Sequence, residues 1–337
     1  MSEKIKIAIS CGDLNGIGIE TLLKTFDDKR MYSYCIPILY ANKNVVEQHI
    51  SILKNDHVQL HEINQAEQAN DDVLNIINCF HGEIKINPGT PDRSISSCTI
   101  DSLERATQDV IDGKAAALIT LPINKDVINQ SEFQHKGHTE YLREKAGVDE
   151  SLMFLVSEAM RVGLVTNHFA IKDVAAEITQ AAIIKKVTLM HRSLQQDFGI
   201  VKPTIAILGL NPHAGDNGLI GEEELSIIVP AIETLNEQGM IAVGPYSADG
   251  FFGMGMYSKY DGVMAMYHDQ GLLPFKMISF DEGVNFTAGL PFVRTSPDHG
   301  TAYDIAGKNL ANPESLRNAI FSALHIAKKR NELTVQA

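Results

Sequence analysis

The sequence predicts an α/β fold with a largely parallel or mixed sheet. Three observations carry that prediction. Short β-type apolar runs alternate with longer amphipathic patterns of helical period. Gly- and Pro-rich punctuation, not long linkers, separates them. Polar motifs follow several of the strand-like runs directly, where open α/β sheets place their ligands.

Residues 4–10 read as the first strand, followed by a Gly-rich turn and a helical stretch at 19–25. The runs 116–120, 161–166, 204–208 and 263–266 read as further strands. Residues 99–111, 181–196, 222–237 and 313–328 carry the apolar spacing of amphipathic helices. A chain of 337 residues suggests two domains. Hydrophobic residues at 44% and charged residues at 21% are globular values.

A net charge of −13 argues against a nucleic-acid partner, which demands a basic face. It leaves room for a small phosphate held by a few focused cations. Apolar runs such as 115–121 are too short to span a bilayer, and the N-terminus lacks the pattern of a signal peptide. Cys11, Cys35, Cys79 and Cys98 form no metal-type or C-x-x-C spacing. Free thiols in a reducing cytoplasm are the expectation.

Three histidines share one context. His168 follows the strand at 161–166, His213 sits in Asn211-Pro212-His213-Ala214-Gly215 after 204–208, and His268 opens His268-Asp269-Gln270-Gly271 after 263–266. Imidazole is the commonest transition-metal ligand, and three protein ligands with open positions suit catalysis. Any one of these histidines alone is more often a hydrogen-bonded loop residue. The shared strand-end position is what favours a metal.

Gly137-His138-Thr139 has the character of a helix start, with Thr139 as N-cap, and suits an anion; plain capping is the competing account. Lys276, Asn285 and Arg294 fall nine residues apart each time, in segments punctuated by Gly and Pro. As loop residues they would converge on one ligand, with Arg294 offering a bidentate fork; three solvated surface residues is the alternative. Asp298-His299-Gly300-Thr301 reads as a turn opening a helix and suits close approach of a nucleotide. The glycines at 12, 16 and 18 fit neither a dinucleotide loop nor a P-loop, and are read as a sharp strand-to-helix turn.

Together these motifs resemble the 4-hydroxythreonine-4-phosphate dehydrogenase family. The resemblance runs from Gly12-Asp13-Leu14-Asn15-Gly16 to Asn312-Pro313, and is most specific at 210–215, 267–271 and 289–300. It implies an isocitrate/isopropylmalate dehydrogenase-like fold of two α/β domains with an active-site cleft between them. The first would comprise residues 1–135 and 297–337, with a nucleotide loop at 298–312. The second, 136–296, would carry the metal ligands and the dimer interface. The stretch 299–313 is also similar to the nucleotide loop of isopropylmalate dehydrogenases. That implies NAD at Asp298, His299, Gly300, Thr301, Asp304 and Asn312.

The resemblance further implies a divalent metal (Zn, Co, Mn or Mg) on His168, His213 and His268, at a homodimer interface with one histidine from the partner. His138, Thr139, Lys276, Asn285 and Arg294 match substrate contacts. The activity implied is oxidation and decarboxylation of 4-phosphohydroxy-L-threonine, with Lys276, Asp249 and Asp269 as candidate proton carriers. Departures from the family pattern include Asn124, Leu219 and the Gly-Asp-Leu-Asn-Gly form of the first loop. They bear on the substrate more than on the reaction class. Three alternatives stay open: a dehydrogenase of threonate or erythronate 4-phosphate, an acyl-phosphate transferase of related fold, which the three histidines count against, and a non-catalytic metal-binding protein.

Overall fold

The computed structural model describes residues 4–128, 133, 135 and 137–336. In chain order its strands are β1 (Ile5–Ser10), β2 (Cys35–Ala41), β3 (Leu60–Ile63), β4 (Leu74–Asn78), β5 (Ala117–Thr120), β6 (Leu152–Val156), β7 (Arg161–Leu164), β8 (Thr204–Leu208), β9 (Ile241–Tyr246), β10 (Gly262–Ala265), β11 (Val284–Ala288) and β12 (Val293–Pro297). Its helices are α1 (Gly18–Asp27), α2 (Lys43–Leu53), α3 (Ser96–Ile111), α4 (His138–Lys145), α5 (Ile171–Glu177), α6 (Gln180–Gln196), α7 (Val229–Glu237), α8 (Ala248–Gly253), α9 (His268–Ser279) and α10 (Glu314–Gln336). The α/β class expected from the alternation holds. The chain divides into two compact units, Met1–Gly147 with Leu290–Ala327 and Val148–Gly289 with Lys328–Ala337.

In the first unit the strand order is β3-β4-β2-β1-β5-β12, with every pair parallel. Parallel strands are covered on both faces, so they read as continuous apolar runs. β2 and β5 are buried at every position. Helix α3 packs on β1, β2 and β5. After β1 the chain turns at Gly12, whose φ is +63°. A Cβ there would lie 2.5 Å from the Pro122 carbonyl oxygen, so only glycine fits. The sharp strand-to-helix turn expected at 12–18 is what the structure has.

The second unit has the order β11-β6-β7-β10-β8-β9. β11, β6 and β7 pair antiparallel, while β7, β10, β8 and β9 pair parallel. Its core joins Val162, Leu164, Ala206, Leu208, Val263 and Ala265 of the strands to Phe251 of α8 and to Leu272 and Phe275 of α9. Each of the valine, leucine and phenylalanine side chains contributes about 1.5–3 kcal/mol on burial. Gly271 lets α9 approach: a Cβ there would sit 2.8 Å from Val162 and 2.9 Å from Ala265.

Three local expectations change. Residues 222–237 are not one regular helix, since a single π turn, Glu224–Ile228, precedes α7. No helix opens at Gly300-Thr301. Positive φ at Ala302, Gly307 and Asn309 breaks that stretch into turns, and the helix begins at Glu314. Lys276, Asn285 and Arg294 do not lie on loops but on α9, β11 and β12. Pro274 reads as a breaker, yet it sits inside α9. The intrahelical bond it forfeits is offset by burial of Leu272 and Phe275.

Candidate active site

The three histidines emerge from one edge of the second unit's sheet. β7, β10 and β8 are parallel neighbours, and His168, His268 and His213 follow their C-terminal ends. Side chains beside them tie those ends together. Thr166 donates its hydroxyl to the Met266 carbonyl at 2.7 Å. Gln270 accepts from Met266 N at 2.7 Å and donates to the Gly209 carbonyl at 2.6 Å. Both residues belong to the histidine motifs, but from sequence neither is assigned a role of its own.

The His168 and His268 rings lie 5.6 Å apart, centroid to centroid. Nδ1 of His268 is 2.7 Å from the Asp269 carboxylate, which leaves Nε2 as the ring nitrogen available to a ligand. Among the described residues, no group of three or more His, Cys, Asp or Glu side chains is placed to hold a metal. By donor type and by sheet edge the histidines suit a divalent ion. One chain brings two of them together and leaves His213 out of a three-residue group.

Of the proton carriers, Asp269 is engaged with His268. Asp249 lies in the first turn of α8, exposed, and its carboxyl is held below the usual range by the Ser247 hydroxyl at 2.5 Å, with a smaller contribution from His213. Lys276 is half-buried on α9. Asn285 is half-buried on β11, and its buried Oδ1 has no hydrogen-bond partner.

In the first unit, Arg294 and His138 come together. Arg294 is 3% exposed. It donates to the Thr120 hydroxyl from Nε at 3.2 Å and from Nη2 at 2.6 Å, and Nη2 lies 3.4 Å from His138 Nδ1. Burial lowers the guanidinium to about 10, so it stays charged at neutral pH. Burial, then Arg294 and Lys125, hold His138 well below its usual range and therefore neutral. Its Nε2 is buried without a hydrogen-bond partner. Thr139 is not the N-cap: Gly137 occupies that position without a side-chain cap, and Thr139 lies inside the first turn.

The 298–312 segment is fastened from behind. Glu20, fully buried in α1, accepts from Gly307 N at 2.9 Å and Ala311 N at 3.0 Å. Tyr303 donates to Asp13 at 2.5 Å, and Ile17 N donates to the Thr301 carbonyl at 3.0 Å. The N-terminal glycine turn thus backs the loop expected to hold a nucleotide. At Gly300, which is exposed, a Cβ would meet nothing within 4 Å. Asn312 accepts from Glu314 N at 3.0 Å and caps α10, while the Lys308 ammonium donates to the Asp304 carbonyl at 2.7 Å. Asp298 N donates to Ser315 Oγ at 3.1 Å, and His299 Nδ1 approaches the Gly300 carbonyl at 3.1 Å. Glu20 was not foreseen; a carboxylate buried early in a helix leaves no mark in sequence periodicity.

All four cysteines are free thiols, and burial pushes Cys35 and Cys79 up to about 12, which makes them poor nucleophiles. Among the described residues no helix is long and apolar enough to cross a membrane.

Known proteins match this chain along nearly its whole length. The family model described as pyridoxal phosphate biosynthetic protein PdxA matches residues 33–323. The 4-hydroxythreonine-4-phosphate dehydrogenase of Bacteroides thetaiotaomicron is 47% identical over 328 residues, covering 97% of this chain and 90% of that protein. The enzyme of the same name from a Sulfurihydrogenibium species is 43% identical, covering 97% and 99%. The crystal structure of 4-hydroxythreonine-4-phosphate dehydrogenase from Klebsiella pneumoniae superposes with a TM-score of 0.85 at 32% identity, covering 97% and 98%. A branched-chain phosphotransacylase from Enterococcus faecalis, with a TM-score of 0.53 at 14% identity over 96% and 99% of the two chains, shares the fold alone. The chain belongs to the PdxA family of pyridoxal phosphate biosynthetic proteins.

Proposed function

We propose that this chain oxidises and decarboxylates 4-phosphohydroxy-L-threonine, giving 3-amino-2-oxopropyl phosphate, CO2 and NADH, in the cytoplasm. The observation that carries a phosphorylated substrate is Arg294. A guanidinium 3% exposed meets the Thr120 hydroxyl and the neutral ring of His138 in the first turn of α4. A buried cation beside a helix start attracts an anion strongly. His138, Thr139 and Arg294 bind the substrate's anionic groups, and Lys276 and Asn285 complete its contacts. The unsatisfied Nε2 of His138 and Oδ1 of Asn285 support those assignments.

In the reaction the carbinol carbon passes its hydride to NAD and the hydroxyl proton goes to a base. The resulting β-keto acid loses CO2, and the enol regains a proton at carbon. Lys276 and Asp249 carry those protons, Asp249 as a base because its carboxyl stays ionised. Asp269 holds the His268 ring. When bound, a divalent metal (Zn, Co, Mn or Mg) on His168, His213 and His268 supplies Lewis acidity for the reacting hydroxyl. Asp298, His299, Gly300, Thr301, Asp304 and Asn312 would hold NAD, in a segment that Glu20 fastens through backbone N–H groups and Asp13 through the Tyr303 hydroxyl.

A homodimer is part of this reading. Leu273 and Met277 on the helix that starts with His268, and Phe280 at its C-cap, are 58%, 80% and 70% exposed. A partner covering them brings a second set of histidines to the same elements.

The deciding assay follows NADH absorbance with 4-phosphohydroxy-L-threonine, threonate 4-phosphate and erythronate 4-phosphate, each with and without chelator. Turnover of the first alone, lost on chelation, is expected. Preference for a sugar-acid phosphate would replace the substrate, and full activity in chelator would remove the metal.

A further inference from the structure

Six consecutive residues after β8 hold positive φ: His213 at 54°, Ala214 at 50°, Gly215 at 80°, Asp216 at 43°, Asn217 at 55° and Gly218 at 92°. Only Gly215 and Gly218 tolerate that region freely. Asp216 and Asn217 visit it singly, and Ala214 is set against its own backbone. Such a run persists only where the surroundings over-determine it, and it concentrates at functional sites.

Two carboxylates hold the start of this turn: Glu223 accepts from Asn211 Nδ2 at 2.7 Å, and Glu224 makes the larger set of bonds. Glu224 is 2% exposed. Its Oε1 accepts from Leu210 N and Asn211 N, each at 2.7 Å, and its Oε2 accepts from Asn211 Nδ2 at 2.9 Å. The turn wraps closely around it. A Cβ on Gly215 would lie 2.6 Å from Oε2, and one on Gly209 would lie 3.1 Å from Oε1. Glu224 also opens the π turn, where Val229 N donates to its carbonyl. Single π turns frequently mark functional positions.

We propose that Glu224 is a positioning residue whose buried carboxylate locks the left-handed turn and thereby presents His213, preorganised, at the end of β8. The proposal rests on the reading of His213 as a metal ligand. Charge-assisted bonds to two successive backbone N–H groups fix where the strand ends. The turn then has one conformation, and the His213 backbone is in place before any ligand arrives.

The test uses the full chain, Co²⁺ alone as probe, and two readouts: visible absorption on Co²⁺ titration, and amide hydrogen exchange across residues 209–217. Glu224→Gln keeps the size but turns an acceptor into a donor facing N–H groups. It is expected to weaken Co²⁺ binding by about 10- to 100-fold, the usual effect of losing a support of a metal ligand, and to speed exchange. Gly215→Ala leaves the charge and crowds the carboxylate, and is expected to do the same; it decides the matter if the first variant does not fold. His213→Ala should weaken Co²⁺ binding without speeding exchange at Leu210 and Asn211. Where His213→Ala does weaken Co²⁺ binding, a folded Glu224→Gln or Gly215→Ala chain with unchanged Co²⁺ affinity overturns the proposal, whatever its exchange. If His213→Ala binds Co²⁺ as the wild type does, the ligand reading fails instead. The exchange data then decide alone, and unchanged exchange overturns the role of Glu224.

Discussion

Arg294 keeps its charge where water scarcely reaches it, with a hydroxyl and a neutral imidazole at its fork. Each charge-assisted bond it makes to a substrate anion is worth about 1.5–3 kcal/mol. Arg294→Ala is therefore expected to raise KM for the phosphorylated substrate about 10- to 100-fold, with KM for NAD unchanged. Arg294→Lys should fall between, because a point charge replaces a planar fork. Steady-state kinetics on both variants checks this, and an unaltered substrate KM would take Arg294 out of the site. The sequence made Arg294 a candidate through its spacing from Lys276 and Asn285. It could not show that Thr120 and His138, far away in the chain, are its neighbours.

At the scale of elements, the buried side chain of His49 joins α2 to the first turn. Its Nε2 lies 2.9 Å from the Leu14 carbonyl, to which it donates, and it is 1% exposed. Burial lowers its pKa from 6.5 to about 4. The unfolded chain binds this proton more readily than the folded one. The stabilisation is complete above about 6.5 and is lost as pH falls from there toward about 4. At 1.36 kcal/mol per unit the loss reaches ~3 kcal/mol. Urea midpoints measured down that range should fall less steeply for His49→Gln than for the wild type, since glutamine can donate to Leu14 without titrating. Parallel slopes would show that His49 does not govern acid stability. Elements differ in how legible they were. β1, β5, β8 and β10 stand out as apolar runs bounded by turns. β2 contains Pro37 and α9 contains Pro274, and each proline reads as a breaker until the packing around it is known.

For the whole molecule, the exposed side chains of α9 decide the assembly proposed here. Leu273, Met277 and Phe280 recur at helical spacing and form one apolar stripe. Leu219 and Met254, 82% and 74% exposed, add to the uncovered apolar surface of the second unit. A 37.0 kDa chain with this surface is expected to sediment as a dimer. The double variant Met277→Glu, Phe280→Glu should sediment as a monomer and lose turnover together with Co²⁺ binding. A monomeric variant with full activity would show that one chain suffices.

Composition, periodicity and motif order by themselves determined the α/β class, the strand-end position of His168, His213 and His268, and the family. Those depend on local patterns that a chain carries in any conformation. Tertiary structure alone decided which groups meet. Glu20 and Glu224 are ordinary acidic residues in the sequence, and Thr166 and Gln270 are ordinary polar ones. Each becomes a fastener of a candidate site loop only once backbone N–H or carbonyl groups, out of reach of local periodicity, close around it. A buried polar group must find partners, and where those partners lie is a property of the folded chain.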